Sequence, residues 1–294
     1  MNQPIKLSKL ALAKIIRGLI SGFIFFTLLL DKIFIRNKRQ IEKPIFIIGH
    51  LRSGTTFLHR FMCEHFMDLR GMVLFEMILP AITARKMSKP LLPFLKRISL
   101  DKVYNPKIHE TNFFLPETDD IAIHFRYAEG ILSWVYFDSW KKYASTEDLE
   151  NSVRSAAEKD KFIHYLRRIH ENNIYQSPKR VVSKSFFSIF NIRTILENFP
   201  DAKIIVLLRD PIETVPSLMS LEKNVQASLH NFDQQDEGTK ALFFENLYAM
   251  SLFYYKYLDN LFSDEKFKDK LHLVTYNELK NNFKRTMLRI MDYC

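Results

Sequence analysis

The chain has 294 residues, 47% of them hydrophobic and 26% charged, which marks a folded globular protein able to bury a full core and excludes a disordered or wholly membrane-embedded one. A formal charge of +10 favours anionic partners: a phosphorylated small molecule, an acidic membrane surface or nucleic acid. Its two cysteines, Cys63 and Cys294, exclude a disulfide framework and a cysteine-rich metal site and fit a reducing, cytoplasmic compartment. Residues 1–40 read as a separate basic and apolar helical segment, and residues 41–294 as one catalytic domain. Within the first, Gly18 to Leu30 is uncharged and flanked by Lys14, Arg17, Asp31, Lys32 and Arg36. The run is shorter than the about 20 apolar residues a spanning helix needs. A helix lying on a membrane surface or a hydrophobic partner is the first expectation, a helix packed on the chain's own core the second, and a short span the third.

The apolar run Ile45-Phe46-Ile47-Ile48 predicts a buried strand. Gly49-His50-Leu51-Arg52-Ser53-Gly54-Thr55-Thr56 then forms a tight turn opening a helix that reaches about Phe66. Glycines let the backbone approach an anion, and the first-turn N–H groups and helix dipole attract it. The spacing is that of a P-loop, G-x-x-x-x-G-K-[ST], but Thr55 stands where a lysine would reach the β/γ-phosphates. That argues against a nucleoside triphosphate with magnesium. Arg52 and the hydroxyls of Thr55 and Thr56 point to a different phosphorylated donor.

Further on, Pro80, Pro90 and Pro93 predict short helical pieces over residues 70–98, and residues 105–120 read as loop. A capped helix start is expected at Ser145-Thr146-Glu147-Asp148 and a helix over Asp160 to Asn172. Val181 to Lys184 is strand-like, Ile189 to Asn198 helical, Lys203 to Leu208 a continuous apolar strand, Leu271 to Thr275 a further strand and Phe283 to Met291 a last helix. Apolar strands separated by helices predict an α/β fold with a parallel sheet buried on both faces. Directly after the Lys203–Leu208 run come Arg209-Asp210-Pro211 and then Ser217. At a strand's carboxyl end, a guanidinium fork and a nearby hydroxyl suit a phosphate monoester.

With these residues in view, the stretch P-I-F-I-I-G-H-L-R-S-G-T-T-F-L at 44–58 resembles the 5′-phosphosulfate loop of sulfotransferases that use 3′-phosphoadenosine 5′-phosphosulfate (PAPS). F-P-D-A-K-I-I-V-L-L-R-D-P-I-E-T-V-P-S at 199–217 resembles their 3′-phosphate loop, and V-T-Y-N-E-L at 274–279 is a weaker match to a segment near their C-terminus. The resemblance implies a three-layer P-loop-like α/β fold with a central parallel sheet flanked by helices. It also implies PAPS as donor, no metal, and in-line transfer of a sulfuryl group to a hydroxyl or amine. Arg52, Ser53, Gly54, Thr55, Thr56 and Lys184 would serve the 5′ end, and Arg209 and Ser217 the 3′-phosphate. Arg52 would be catalytic as well. The chain departs from the pattern at His50-Leu51, where x-Pro is usual, and at Lys184-Ser185-Phe186-Phe187, where K-S-P-x-H is common. No G-x-x-G-x-x-K segment follows Leu279, so either a C-terminal segment lies beyond Cys294 or the donor lid is built differently.

An acceptor hydroxyl needs a general base. Glu76, placed where some sulfotransferases that this chain resembles carry an acidic base, is the first candidate, with Glu117 and His109 as competitors. His59, His65, His124, His164 and His170 show no metal-ligand spacing. The expected partner is a small-molecule, glycan or lipid acceptor, with peripheral membrane contact through residues 1–40 and no nucleic acid. A P-loop kinase or NTPase, or a non-catalytic membrane-surface binding protein, are the competing readings.

Overall fold

Successive residues of each central strand enter two separate apolar layers, and this alternation organises the fold. The computed structural model describes residues 7–36, 38–101, 110–127, 131–137, 139–140, 145 and 159–294. Among them are the strands β1 (Ile45–Ile48), β2 (Leu69–Arg70), β3 (Arg180–Lys184), β4 (Lys203–Leu208) and β5 (Leu271–Thr275). They form a parallel sheet in the order β2-β3-β1-β4-β5, with Ile47 in register with Lys184 on one side and Ile205 on the other. The helices are α1 (Leu7–Phe34), α2 (Thr55–His65), α3 (Leu74–Ile78), α4 (Ile82–Met87), α5 (Leu92–Leu95), α6 (Asp120–Tyr127), α7 (Ile131–Phe137), α8 (Lys159–Asn173), α9 (Ile192–Asn198), α10 (Pro211–His230), α11 (Glu237–Phe262), α12 (Tyr276–Asn281) and α13 (Phe283–Tyr293).

Phe46, Ile48, Val181, Ile204 and Val206 face a layer built from Ile169 of α8, Ile195 of α9 and Tyr254 of α11. Ile45, Ile47, Val182, Ile205 and Leu207 face the opposite layer, with Leu58 and Met62 of α2, Leu279 of α12 and Ile290 of α13. Helices therefore cover both faces, the three-layer arrangement expected from continuous apolar strands. Each such fully buried aliphatic or aromatic side chain contributes roughly 1.5–3 kcal/mol.

The apolar N-terminal run lies within the 28 residues of α1. Ile24 and Leu28 are buried in the main core, and the buried Asp31 carboxylate accepts hydrogen bonds from the N–H groups of Ile82 (2.7 Å) and Thr83 (2.8 Å), so α1 caps α4 from outside. The other face of α1 is uncovered: Leu12, Ile15, Ile16, Leu19, Phe23 and Phe26 are exposed. No helix among the described residues is long and apolar enough to cross a membrane. The expected helix over residues 189–198 begins as a 3-10 turn at Phe187–Asn191, and Thr146, Glu147 and Asp148 lie outside the described residues.

Candidate active site

The loop after β1 is shaped by close backbone approach. A Cβ at Gly49 would lie 2.6 Å from the Leu207 carbonyl oxygen of β4, so only glycine fits without displacing a strand. Arg52 and Gly54 both adopt the left-handed region, with φ of 72° and 94°. Ser53 is fully buried; its N–H and its hydroxyl both donate to the His50 carbonyl, at 3.1 and 2.6 Å. His50, the departure from the family pattern, is also buried. Its Nε2 is 3.0 Å from Ser251 Oγ and its ring stacks on Tyr255, tying the loop to α11, and burial lowers its pKa to about 4. The N-cap of α2 is Gly54, which supplies no side-chain cap. The first turn of this helix, at Thr55 and Thr56, borders the cavity described below.

At the carboxyl end of β4, Asp210 accepts from the Ile212 N–H (2.8 Å) and, with Pro211, starts α10. This fixes Arg209, whose guanidinium donates to the Arg52 carbonyl (3.0 Å) and to Glu213 (2.7 Å) and lies 4.2 Å from the centre of the Tyr276 ring. Arg52 Nε in turn donates to Ser217 Oγ at 3.0 Å. The two stretches predicted to bind phosphate thus meet. Burial first, and then the nearby Arg209 charge, lower the pKa of Arg52. Two guanidinium groups held together in this way form a place that an anion would stabilise.

On the other side of β1, Lys184 ends β3 and is buried. Its Nζ donates to Thr56 Oγ1 (2.8 Å) and lies 3.5 Å from Glu117 Oε2, while Arg60 of α2 bonds the other Glu117 oxygen. Burial lowers the Lys184 pKa, and Glu117 opposes that shift. The segment bearing Glu117 is fastened to the same strand end. Asp119 N–H donates to the Lys184 carbonyl (2.8 Å), and Asp120 accepts from Ser185 Oγ and Phe186 N–H, both at 2.7 Å.

Lys184, Glu117, Arg209 and the loop residues Gly49, Arg52, Gly54, Thr55 and Thr56 all border one cavity of about 690 Å³. Its remaining wall is largely apolar, with Leu51, Leu74, Ile121, Leu132, Phe186 and Leu221. Glu76 is not part of the lining. Its carboxylate is bonded by Arg70 (2.7 Å), Arg85 (3.4 Å) and the Val73 N–H (3.2 Å), where it secures the start of α3. His109 lies outside the described residues. Sequence reading passed over Glu222, a buried carboxyl of α10 in the cavity wall; mid-helix and isolated from any motif, it carries no local signal.

The glycine loop, flanked by an arginine from one neighbouring strand and a lysine from the other, lies at the carboxyl edge of the sheet, where open α/β folds place their ligand sites. Residues 44–294 match the family model described as "Sulfotransferase family", and the chain belongs to that family. It is 26% identical over 190 residues to proteins named omega-hydroxy-beta-dihydromenaquinone-9 sulfotransferase Stf3 from Mycobacterium bovis and Mycobacterium tuberculosis. Those matches cover 62% of this chain and 46% of theirs, so the chain spans about half the length of these curated relatives. Sulfotransferase STF9 from Mycobacterium avium shares the fold with a TM-score of 0.65 at 19% identity, over 87% of this chain and 64% of that one. Sulfotransferase STF1 from Mycobacterium tuberculosis does so with 0.60 at 16% identity, over 86% and 67%.

Proposed function

We propose that this protein moves a sulfuryl group from PAPS to a hydroxyl, or an amine, of a largely apolar acceptor. The observation that carries this reading is one cavity lined both by Arg52, Arg209 and Lys184, gathered around the loop, and by a largely apolar set of side chains. The residues fit the donor. Gly49 leaves no room beside β4 for a side chain, and Arg52 and Arg209 share a half-buried place whose crowding an anion would relieve. When bound, the donor would supply an activated sulfuryl group on a phosphate leaving group. The first-turn N–H groups of α2 at Thr55 and Thr56, with Arg52 and Lys184, would hold the 5′ end and offset charge on the leaving oxygen. Ser53 would act by keeping the loop's shape, and Gly54 by giving it the left-handed turn. Arg209 and Ser217 would hold the 3′-phosphate. Positive charge from these side chains makes the reading independent of a metal.

For the base we assign Glu117 in preference to Glu76, because Glu117 borders the cavity beside Lys184 while Glu76 is spent on Arg70, Arg85 and Val73. As the acceptor oxygen bonds to sulfur and the sulfur–phosphate oxygen bond breaks, Glu117 would take the acceptor's proton.

The relatives' name specifies a hydroxylated lipid quinone, and the apolar wall suits an acceptor of similar character here. We further propose that residues 1–40 hold the catalytic unit, residues 41–294, at a membrane surface. The exposed stripe Leu12, Ile15, Ile16, Leu19, Phe23 and Phe26 recurs at helical spacing, with exposed Lys14, Lys32 and Arg36 beside it. The test of the transfer reading is release of 3′,5′-ADP from PAPS with sulfation of geraniol in chelator-treated buffer. Turnover that is lost in Glu117→Gln and retained in Glu76→Gln supports the reading. Absence of turnover across hydroxyl and amine acceptors, or retention in Glu117→Gln, contradicts it.

A further inference from the structure

Two short stretches of chain contribute neighbouring side chains to the cavity wall, and one buried carboxylate ties them together. Glu117, Thr118 and Ile121 come from the segment that runs into α6, and Lys184, Ser185 and Phe186 from the end of β3 and the residues after it. Asp120, the first residue of α6, is buried and does not itself border the cavity. Its Oδ1 accepts from Ser185 Oγ at 2.7 Å. Its Oδ2 accepts from the Phe186 N–H at 2.7 Å and from Thr118 Oγ1 at 2.5 Å. Both oxygens are engaged, and the bonds reach both stretches. Bonds to an ionised acceptor are stronger than neutral ones, so the contact fixes one stretch against the other. What it fixes is a close pair, since Lys184 Nζ lies 3.5 Å from Glu117 Oε2. Proton transfer from an acceptor needs hydrogen-bond reach, and a displacement of about 1 Å in the reacting geometry costs about 10²-fold in rate.

We propose that Asp120 is a positioning residue for the transfer step: bonded to Thr118 on one side and to Ser185 and Phe186 on the other, it sets where the Glu117 carboxylate stands relative to Lys184 and the acceptor. The inference rests on the sulfuryl-transfer reading with Glu117 as base. Its consequence is a selective effect. Loss of Asp120 lowers kcat, while binding of the donor nucleotide through Arg52, Arg209 and Ser217 is kept. The segment still has backbone anchors without this side chain, from the Asp119 N–H to the Lys184 carbonyl (2.8 Å) and from the Glu117 N–H to the Met72 carbonyl (3.4 Å), so the fold survives the change.

The test compares wild type, Asp120→Ala and Asp120→Asn at a temperature well below each Tm, by sulfation of geraniol from PAPS and by calorimetric binding of 3′,5′-ADP. Asp120→Ala is expected to lower kcat by about 10²-fold while its Kd for 3′,5′-ADP stays within about threefold of wild type. Asp120→Asn should recover most of that loss, because its carbonyl oxygen still accepts from Phe186 and Thr118 and its amino group can donate to Ser185 Oγ. Ser185→Ala, which removes one of the three bonds, gives the same readout with a smaller fall should the alanine variant of Asp120 not fold. A merely structural role lowers Tm without moving kcat, or weakens 3′,5′-ADP binding in parallel with kcat. Either result, or an asparagine variant as impaired as the alanine one, would overturn the inference alone. Absence of turnover by wild type across hydroxyl and amine acceptors would remove the transfer reading and this inference with it.

Discussion

Replacing Glu117 by glutamine tests the link between packing and chemistry. Glu117 is 3% exposed and Lys184 7%, with Arg60 on the far oxygen, so the substitution leaves a buried ammonium facing a neutral amide. Removing one partner from a buried ion pair costs about 3–5 kcal/mol. Arg60 is partly solvated and Lys184 keeps its bond to Thr56, which places the loss near the lower end, about 3 kcal/mol. At about 2–4 °C per kcal/mol for a chain of this size, Tm should fall by about 6–12 °C. Lys184→Met alone leaves Glu117 bonded to Arg60, and the double variant should recover much of the loss, giving a favourable coupling in the cycle. At a temperature well below both Tm values, kcat of Glu117→Gln should drop by about 10²–10⁴-fold. A fall under 2 °C together with additive effects would refute the buried-pair argument; unchanged kcat would refute Glu117 as the base.

Three further outcomes are expected. Gly49→Ala places a methyl group against the Leu207 carbonyl, Ser53 Oγ and Thr55 Cγ2 at 2.6–2.7 Å, so it should cost about 1–3 kcal/mol and weaken 3′,5′-ADP binding by at least tenfold, as read by thermal shift with and without ligand. Glu222 has a folded pKa of about 7, raised from 4.5; the folded state holds its proton more tightly, so its stabilising contribution is full below pH 4.5 and lost as pH rises towards 7. The Tm of Glu222→Leu relative to wild type should therefore climb over that window and then level off, and a flat difference would contradict the shift. Leu19→Asp with Phe26→Asp should cut cosedimentation with anionic lipid vesicles and leave Tm nearly unchanged, because both side chains face outward on α1; undiminished sedimentation would rule out this face as the contact.

What the sequence revealed was local, and what it hid depends on tertiary packing. The strand, loop and helix at residues 45–65 and the Arg209-Asp210-Pro211 corner are continuous in the chain, so glycine spacing and apolar runs announce them. The two-residue β2 is too short for any periodic signal and exists because β3 offers it an edge. Glu76 and Glu117 both sit in plausible surroundings by sequence. Only the fold shows Arg70 and Arg85 closing on the first while Lys184 and Arg60 bring the second to the cavity. Likewise α1 is apolar on two faces, and its sequence alone does not tell which one the core takes; Ile24, Leu28 and Asp31 on the packed face settle that.

The most direct measurement of the central claim is calorimetric titration of wild type, Arg52→Ala and Arg209→Ala with 3′,5′-ADP in the presence of chelator, and with magnesium-ATP. The account predicts micromolar binding of 3′,5′-ADP by wild type, weakened at least tenfold in both variants, with little affinity for magnesium-ATP. Tight binding of magnesium-ATP with 3′,5′-ADP ignored would contradict it.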